Sequence, residues 1–451
     1  MKRNVLLIAR RSAKPEALLR YWPNDKWDLY LYTDRKDEWY PGMSEQFGEK
    51  WLSHLPGRNH GAVSSDLIGN TKKHPTFGNA LKTKKKQLRK YVLLNLLRVY
   101  DRHFWTWTLP SFSNLTSIIE KTRPDVVISV YGPFAASLIA QRIALRHGIP
   151  WIAYFRDHCT TFDQTVRVPI VWHLQSVIDR RVHAPASCLV GVSAQFVDIL
   201  SSFYGIPRYR SRVITGCFDD RHLPEDIRER CVQRRKKQLL PAGKGSGQPT
   251  CLKISYAGKL YKHRVESLYL LLNAVKVMLN QGVPCELEIT VSNAFHYLPQ
   301  KLKEMIDQLK SRGLIVTLRS EGVPYAEALR MTDSADVNII LEGMRPPQST
   351  AGTLTLKIFD MMMVAKPTIA ISSPSLPIGD YLRETGIGID CKDTESIAAA
   401  LNEIWKWKQG GSIPNWYSPV AGAIEQYSSR SMAEKLSELS EKVYNRSLMD
   451  N

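Results

Sequence analysis

With 451 residues the chain is too long for one ordinary domain, and two or three are expected. A hydrophobic share of 43% against 23% charged residues is normal for a soluble globular protein with a buried core. The formal charge of +19 points to an anionic partner, and the seven scattered cysteines, with no CxxC pair, argue against a zinc site or a disulfide framework.

The opening MKRNVLLIARR holds an apolar run of only five residues, Val5 to Ala9, too short for a signal segment. No apolar run approaches the roughly 18 residues of a membrane span. A cytoplasmic location is expected. NVLLIA (4–9) reads as a first strand. Residues 71–102 then carry ten Lys/Arg against one acid, Asp101. The helical spacing of QLRKYVLLNLLRVY, with Trp105 and Trp107 after it, makes residues 82–107 a basic amphipathic segment. It suits the inner face of an anionic membrane, or equally a solvated helix packed on its own domain. No nucleic-acid module is recognisable, so no nucleic acid is expected as a partner.

From residue 125 onwards, β-rich runs alternate with helical stretches, the mark of βαβ units. DVVISVYG (125–132), PWIAYFRD (150–157), SCLVGVS (187–193) and SRVITG (211–216) read as strands of a first doubly wound domain. Residues 221–250 break the pattern and read as a charged linker ending in PAGKGSGQPT. Gly243, Gly245 and Gly247 precede a strand, whereas a phosphate loop must follow one, so they read as loop. The alternation restarts with CLKISYAG (251–258) and runs through the helix VESLYLLLNAVKVMLNQG, CELEITVS, a helix near 300–313, LIVTLRSEG, the helix YAEALRMTDSA, DVNIIL, the helical stretch up to MMMVAKP, PTIAIS and a helix at 394–407. A charged amphipathic helix occupies 429–446.

Ligands of open parallel sheets bind at the carboxyl ends of strands, where loops enter helices. Three segments supply candidates there. In AGKLYKHRVESL, Gly258 leads out of a strand, and Lys259 and Arg264 are placed to converge on a diphosphate. The alternative is an exposed basic loop. In STAGTLTLKIFD, residues 350–355, including Thr353, Leu354 and Thr355, form a small-residue turn expected to open a helix and present amides to a phosphate. Asp360, about two turns into that helix, is placed to accept hydrogen bonds from a ribose, with Lys357 three residues earlier on the same face. Ile358, Phe359 and Met361 to Met363 read as the side packed on the sheet. The plainer reading of Lys357 and Asp360 is a surface ion pair. In WIAYFRDHCTTF, the residues Arg156, Asp157 and His158 end a strand of the first domain, where an Asp is otherwise a helix cap or loop anchor.

Taken in order, these segments resemble GT-B glycosyltransferases, and among them glycosyltransferase family 4. PDVVISVYGPFAASLIAQRIALRHGIPWIAYFRD, CLVGVSAQFVDILSSFYGIPRYRSRVITGCFD, ISYAGKLYKHRVESL, EGVPYAEALRMTDSADVNIIL and LKIFDMMMVAKPTIAIS each resemble a segment of that family, over residues 120–405. There are departures. The family's Arg-x4-Lys pair stands here as Lys259 and Arg264, and its second acidic residue as Asp360. Its first acidic residue would fall on Gly352, and the glycine of its Gly-Lys-Pro is Ala365.

The resemblance implies two Rossmann-like doubly wound α/β domains facing a cleft, 1–218 on the acceptor side with the basic insertion at 71–107, and 219–425 binding the nucleotide sugar. A last helix, 426–451, crosses back to the first domain. It further implies a retaining, metal-independent transfer from a nucleotide-diphosphate sugar to a glycan or lipid-linked acceptor, with no cofactor. Lys259, Arg264 and the helix end after Gly352 would neutralise the diphosphate, and Asp157 would orient acceptor or donor sugar. Two other readings stand beside it: a non-catalytic scaffold binding anionic surfaces, and a sugar-nucleotide epimerase on the same fold.

Overall fold

The computed structural model describes residues 2–9, 15–33, 50–53, 107–132, 134–157, 169–236, 250–290, 299–319, 322–344 and 351–450. Residues 82–106, His158, the glycines at 243, 245 and 247, and Thr350 lie outside that set. The chain divides into two compact units. One comprises residues 1–214 with 433–451, and the other residues 215–432.

The first unit is built on β1 (Arg3–Ile8), β2 (Trp27–Thr33), β3 (Trp51–Ser53), β4 (Val126–Val130), β5 (Trp151–Tyr154), β6 (Cys188–Gly191) and β7 (Ser211–Val213). These pair in parallel in the order β3-β2-β1-β4-β5-β6-β7. Helices cover both faces of such a sheet, so its central strands are apolar throughout rather than alternating. β4, VVISV, is buried at all five positions, with Trp151 of β5 donating its indole N–H to the Ser129 hydroxyl at 2.8 Å. Trp107, at the end of the segment read either as membrane-facing or as packed on its own domain, is fully buried, 6.1 Å from the Tyr32 ring, which agrees with the second reading at that residue. The last helix, Ser429–Asp450, buries Ala433, Leu436, Leu439 and Val443, and its Tyr444 meets Trp27 edge-on at 5.9 Å.

The second unit carries β8 (Leu252–Ala257), β9 (Cys285–Thr290), β10 (Ile315–Arg319), β11 (Val337–Leu341), β12 (Thr368–Ile371) and β13 (Gly388–Cys391), parallel in the order β10-β9-β8-β11-β12-β13. The strand order reverses between β8 and β11, which leaves a crevice at their carboxyl ends, the place where doubly wound sheets bind ligands. Helix Val265–Asn280 covers one face by burying Leu268, Leu271, Leu272, Val275 and Met278, the spacing of a core-facing stripe.

Two local expectations are corrected. The charged stretch read as linker from 221 onwards contains a helix, Glu225–Lys236. Its Ile227 and Cys231 are one turn apart and buried, while Arg230 and Arg234 both reach the buried Asp333, at 2.6 and 2.8 Å. Tertiary ion pairs and a narrow apolar stripe therefore hold a segment whose composition is almost entirely polar. The second correction concerns the turn at 351–355. The helix starts at Lys357, so Thr353, Leu354 and Thr355 lie ahead of it rather than in its first turn. Asp360 is consequently in the first turn, not the second.

Candidate functional site

β8 ends at Ala257, and the chain passes through Gly258 into a loop that enters helix Val265–Asn280 by a short 3-10 turn, Lys262–Arg264. Two groups clamp this loop on one carbonyl. The Tyr256 phenol donates to the Lys259 carbonyl at 2.9 Å, and the Arg264 guanidinium donates to the same oxygen at 3.0 Å. The Lys259 side chain is left exposed at the carboxyl end of β8. Gly258 contributes space and not an amide, because its N–H already donates to the Thr290 carbonyl at 2.9 Å.

Arg264 is not an open cation. It is buried, and it pairs with Glu342 at 2.6 Å. Glu342 directly follows β11, and its own carbonyl accepts the Ser267 hydroxyl. The pair therefore bridges the two strands of the switch point, and its charges cancel.

A third group enters the same place from the start of helix Lys357–Val364. The Lys357 ammonium lies 4.0 Å from the centre of the Tyr256 ring. It is shut off from solvent and has no hydrogen-bond partner among the described residues. It packs so closely on the Gly258 backbone that a Cβ there would sit 1.5 Å from Nζ. Burial first, and the nearby Arg264 charge second, pull Lys357 down to about 7, against the opposing pull of Glu342 and Asp360. Burial also pushes the Tyr256 phenol up to about 12, so it stays a donor. A buried cation without a partner is costly, and helix N-terminal amides favour an anion beside it.

Asp360 accepts the Tyr325 phenol at 2.5 Å, and the Tyr325 ring in turn lies 5.8 Å from His222. Desolvation, and then the Asp360 carboxylate, drive the Tyr325 phenol well above its ordinary range. Leu354 is buried, Thr353 and Thr355 are half-buried, and Ile358, Phe359 and Met361 to Met363 are all in the core. Gly352 has a left-handed φ of 70°, a conformation that a glutamate resists. Asp157 is exposed just beyond the carboxyl end of β5, in the other unit.

The structure thus brings together Gly258, Lys259, Arg264 and Lys357 at one strand crossing, with Asp360 in the same helical turn as Lys357. Glu342, Tyr256 and Tyr325 were not singled out from the sequence. Glu342 had a signal: it is an acid placed directly after the apolar run NIIL, hence at a strand's carboxyl end. Tyr256 sits at an inward position of β8 like any core aromatic, and nothing local marked it.

By sequence, no curated protein matches the chain. Residues 75–222 match the family described as Glycosyltransferase Family 4. Among solved structures, the chain is similar to sucrose-phosphate synthase from Thermosynechococcus elongatus, at 11% identity, a TM-score of 0.55, and coverage of 99% of this chain and 100% of that one. A glycosyltransferase from Rickettsia africae gives 11% identity and a TM-score of 0.54, with 98% of each chain covered. A UDP-forming α,α-trehalose-phosphate synthase from Burkholderia xenovorans gives 9% and 0.53, with 98% and 99% covered. The chain thus has the two-domain GT-B fold of these glycosyltransferases, and its residues 75–222 match Glycosyltransferase Family 4.

Proposed function

We propose that the chain transfers a sugar from a nucleotide-diphosphate donor whose diphosphate lies at the carboxyl ends of β8 and β11. The observation that carries this reading is Lys357, a buried ammonium with no hydrogen-bond partner among the described residues, beside a helix start and the loop bearing Lys259. With Arg264 neutralised by Glu342, the net positive charge available to the diphosphate comes from Lys259 and Lys357. Cations beside a leaving diphosphate stabilise charge that grows in the transition state. Asp360, joined to the Tyr325 phenol, would receive ribose hydroxyls. Asp157 would orient acceptor or donor sugar.

Retention, independence from a metal ion and a glycan or lipid-linked acceptor in surface polysaccharide synthesis come to this reading from the family resemblance. A cytoplasmic protein held peripherally at a membrane comes instead from the short N-terminal apolar run and the basic, tryptophan-flanked segment 82–107. Among the described residues no helix is long and apolar enough to cross a membrane.

A calorimetric panel of UDP, GDP, ADP and their sugars tests the donor assignment. The Burkholderia neighbour is named as UDP-forming, which puts UDP first. Saturable binding of one nucleoside diphosphate, weakened at least tenfold by Lys357→Met, is expected. Absence of binding across the panel refutes the assignment and leaves the scaffold reading.

A further inference from the structure

We propose a second anion site, wholly within the first unit, that takes a ligand bearing closely spaced phosphate groups. A pocket of about 700 Å³ opens between the amino ends of β6 and β7 and the last turns of helix Ser429–Asp450. That volume suits a small ligand. Arg210, Arg212, Lys442 and Arg446 line it, and among the described residues no Asp or Glu does.

A basic protein has many surface cations, and most such clusters are solvated faces. Two features separate this one. Several guanidinium groups elsewhere are paired with carboxylates, as Arg208 is with Asp198, Arg235 with Asp220 and Arg330 with Asp226. Among the described residues none of the four pocket cations makes an ion pair, so their charge is uncompensated. Moreover, the two arginines on the sheet side are fixed by backbone carbonyls. Arg210 donates to the Ala186 carbonyl at 2.6 Å, and Arg212 to those of Tyr209 and Ser211, both at 2.8 Å. These bonds hold the groups in place without neutralising them, which is preorganisation for an anion.

The fields converge. Burial raises the Cys188 thiol at the pocket's base to about 11, while Arg212, Arg210 and Arg446 all pull against that rise. Cys188 is the first residue of β6, so the pocket lies at the sheet edge opposite the carboxyl end that bears Asp157. The rim is apolar, with Tyr209 65% and Met449 86% exposed. Such a rim beside a phosphate pocket fits a lipid headgroup as well as a soluble phosphorylated compound, and the shared chemistry is the clustered phosphate.

The test uses the full chain in a Lys259→Ala/Lys357→Met background, which removes the other cation pair. Lys442→Gln/Arg446→Gln is then added; neither side chain makes a hydrogen bond among the described residues, Arg446 only lying 5.8 Å from the exposed Tyr209 ring, and circular dichroism checks that the fold is kept. Inorganic pyrophosphate is titrated by calorimetry, and vesicles of phosphatidylcholine with and without phosphatidylglycerol are sedimented. Pyrophosphate binding that the second pair of substitutions weakens at least tenfold supports a soluble ligand. Sedimentation with anionic vesicles alone, lost in the same variant, supports the headgroup. Equal behaviour of the two variants in both assays overturns the proposal.

Discussion

Lys357 carries a proton that the fold disfavours. Held at about 7 against an ordinary 10.5, the ammonium is destabilised by burial and by Arg264. The unfolded chain therefore binds more protons than the folded one between those two values, so stability rises with pH across that window and is lowest below it. A shift of this size is worth on the order of 3 kcal/mol or more. Lys357→Met is predicted to stabilise the protein by about that amount at pH 7 and below in urea unfolding, the advantage fading towards pH 10.5. An unchanged or lowered midpoint at pH 6.5 would show that the ammonium is not destabilising.

The same group sets a pH dependence for the proposed donor. A bound diphosphate favours the protonated lysine, so its affinity is flat below pH 7. Above that it falls by up to about tenfold per pH unit, with proton uptake on binding. Calorimetry in buffers of different ionisation heat reads that uptake directly, and Lys357→Met should abolish it. Gly258→Ala should act on the same group from the backbone side, because its Cβ would occupy the place of Nζ. Loss of donor affinity there is expected together with a loss of stability, because the φ of 159° at Gly258 disfavours a side chain. Full affinity in that variant would mean that the ammonium does not face the donor from its observed position.

At the scale of the element, helix Lys357–Val364 depends on the helix that composition disguised. Its last carbonyl is held from Glu225–Lys236, where Arg234 donates to the Val364 carbonyl at 2.6 Å while also pairing with Asp333. Asp333 is 95% out of solvent yet held below its usual range, because Arg234 and Arg230 together outweigh the burial that ranks first among the effects on it. Arg230 is 55% exposed and only Arg234 is largely buried, so removing Asp333 costs its charged hydrogen bonds, roughly 1.5–3 kcal/mol, rather than stranding a fully buried charge. Asp333→Ala should lose stability in that range, measured by denaturant midpoint, and a loss under about 1 kcal/mol would refute the role. Because its folded-state value is lowered, the stability Asp333 contributes is present above the unfolded value of 3.8 and is lost as the pH falls through the lower folded one.

This element also shows what the sequence made legible. Strands β8, β11 and β12 and the long helices were readable because apolar periodicity is local. Helix Glu225–Lys236 was not, since only Asp333, about a hundred residues away, explains why its arginines are tolerated. The site divides in the same way. Lys259 and Asp360 could be placed from loop and helix context, but the neutralisation of Arg264 depends on Glu342, 78 residues further on. Lys357 looked like half of a surface ion pair until the glycine and the tyrosine that enclose it were located in space. The residue at the end of its helix follows the same logic. Ala365, standing where the resembling family has glycine, has a left-handed φ of 54° and is fully buried. The roughly 1–2 kcal/mol of left-handed strain is close to what a buried methyl and the lower backbone entropy of alanine return, so alanine is tolerated there.

For the whole molecule, the two units differ in how the chain builds them. The second is one continuous stretch, 215–432, with its own six-stranded sheet and its own core. The first needs both ends of the chain, since residues 433–451 belong to it. The final helix supplies it with Leu436, Leu439 and Val443, each buried, and with Tyr444 against Trp27 and under the Arg3 guanidinium at 4.3 Å. At about 1.5–3 kcal/mol for each large apolar side chain, those residues are worth a large part of a domain's usual 5–15 kcal/mol. A chain ending at Met432 should therefore lose the cooperative melting of its first unit while the second still unfolds cooperatively, and the fragment 215–432 should fold alone and keep the nucleoside diphosphate affinity of the full chain. Scanning calorimetry of the three proteins, with the nucleotide titration repeated on the fragment, decides this. A truncated chain that retains both transitions would show that the helix is dispensable. A folded fragment without affinity would move the donor's main contacts out of the second unit.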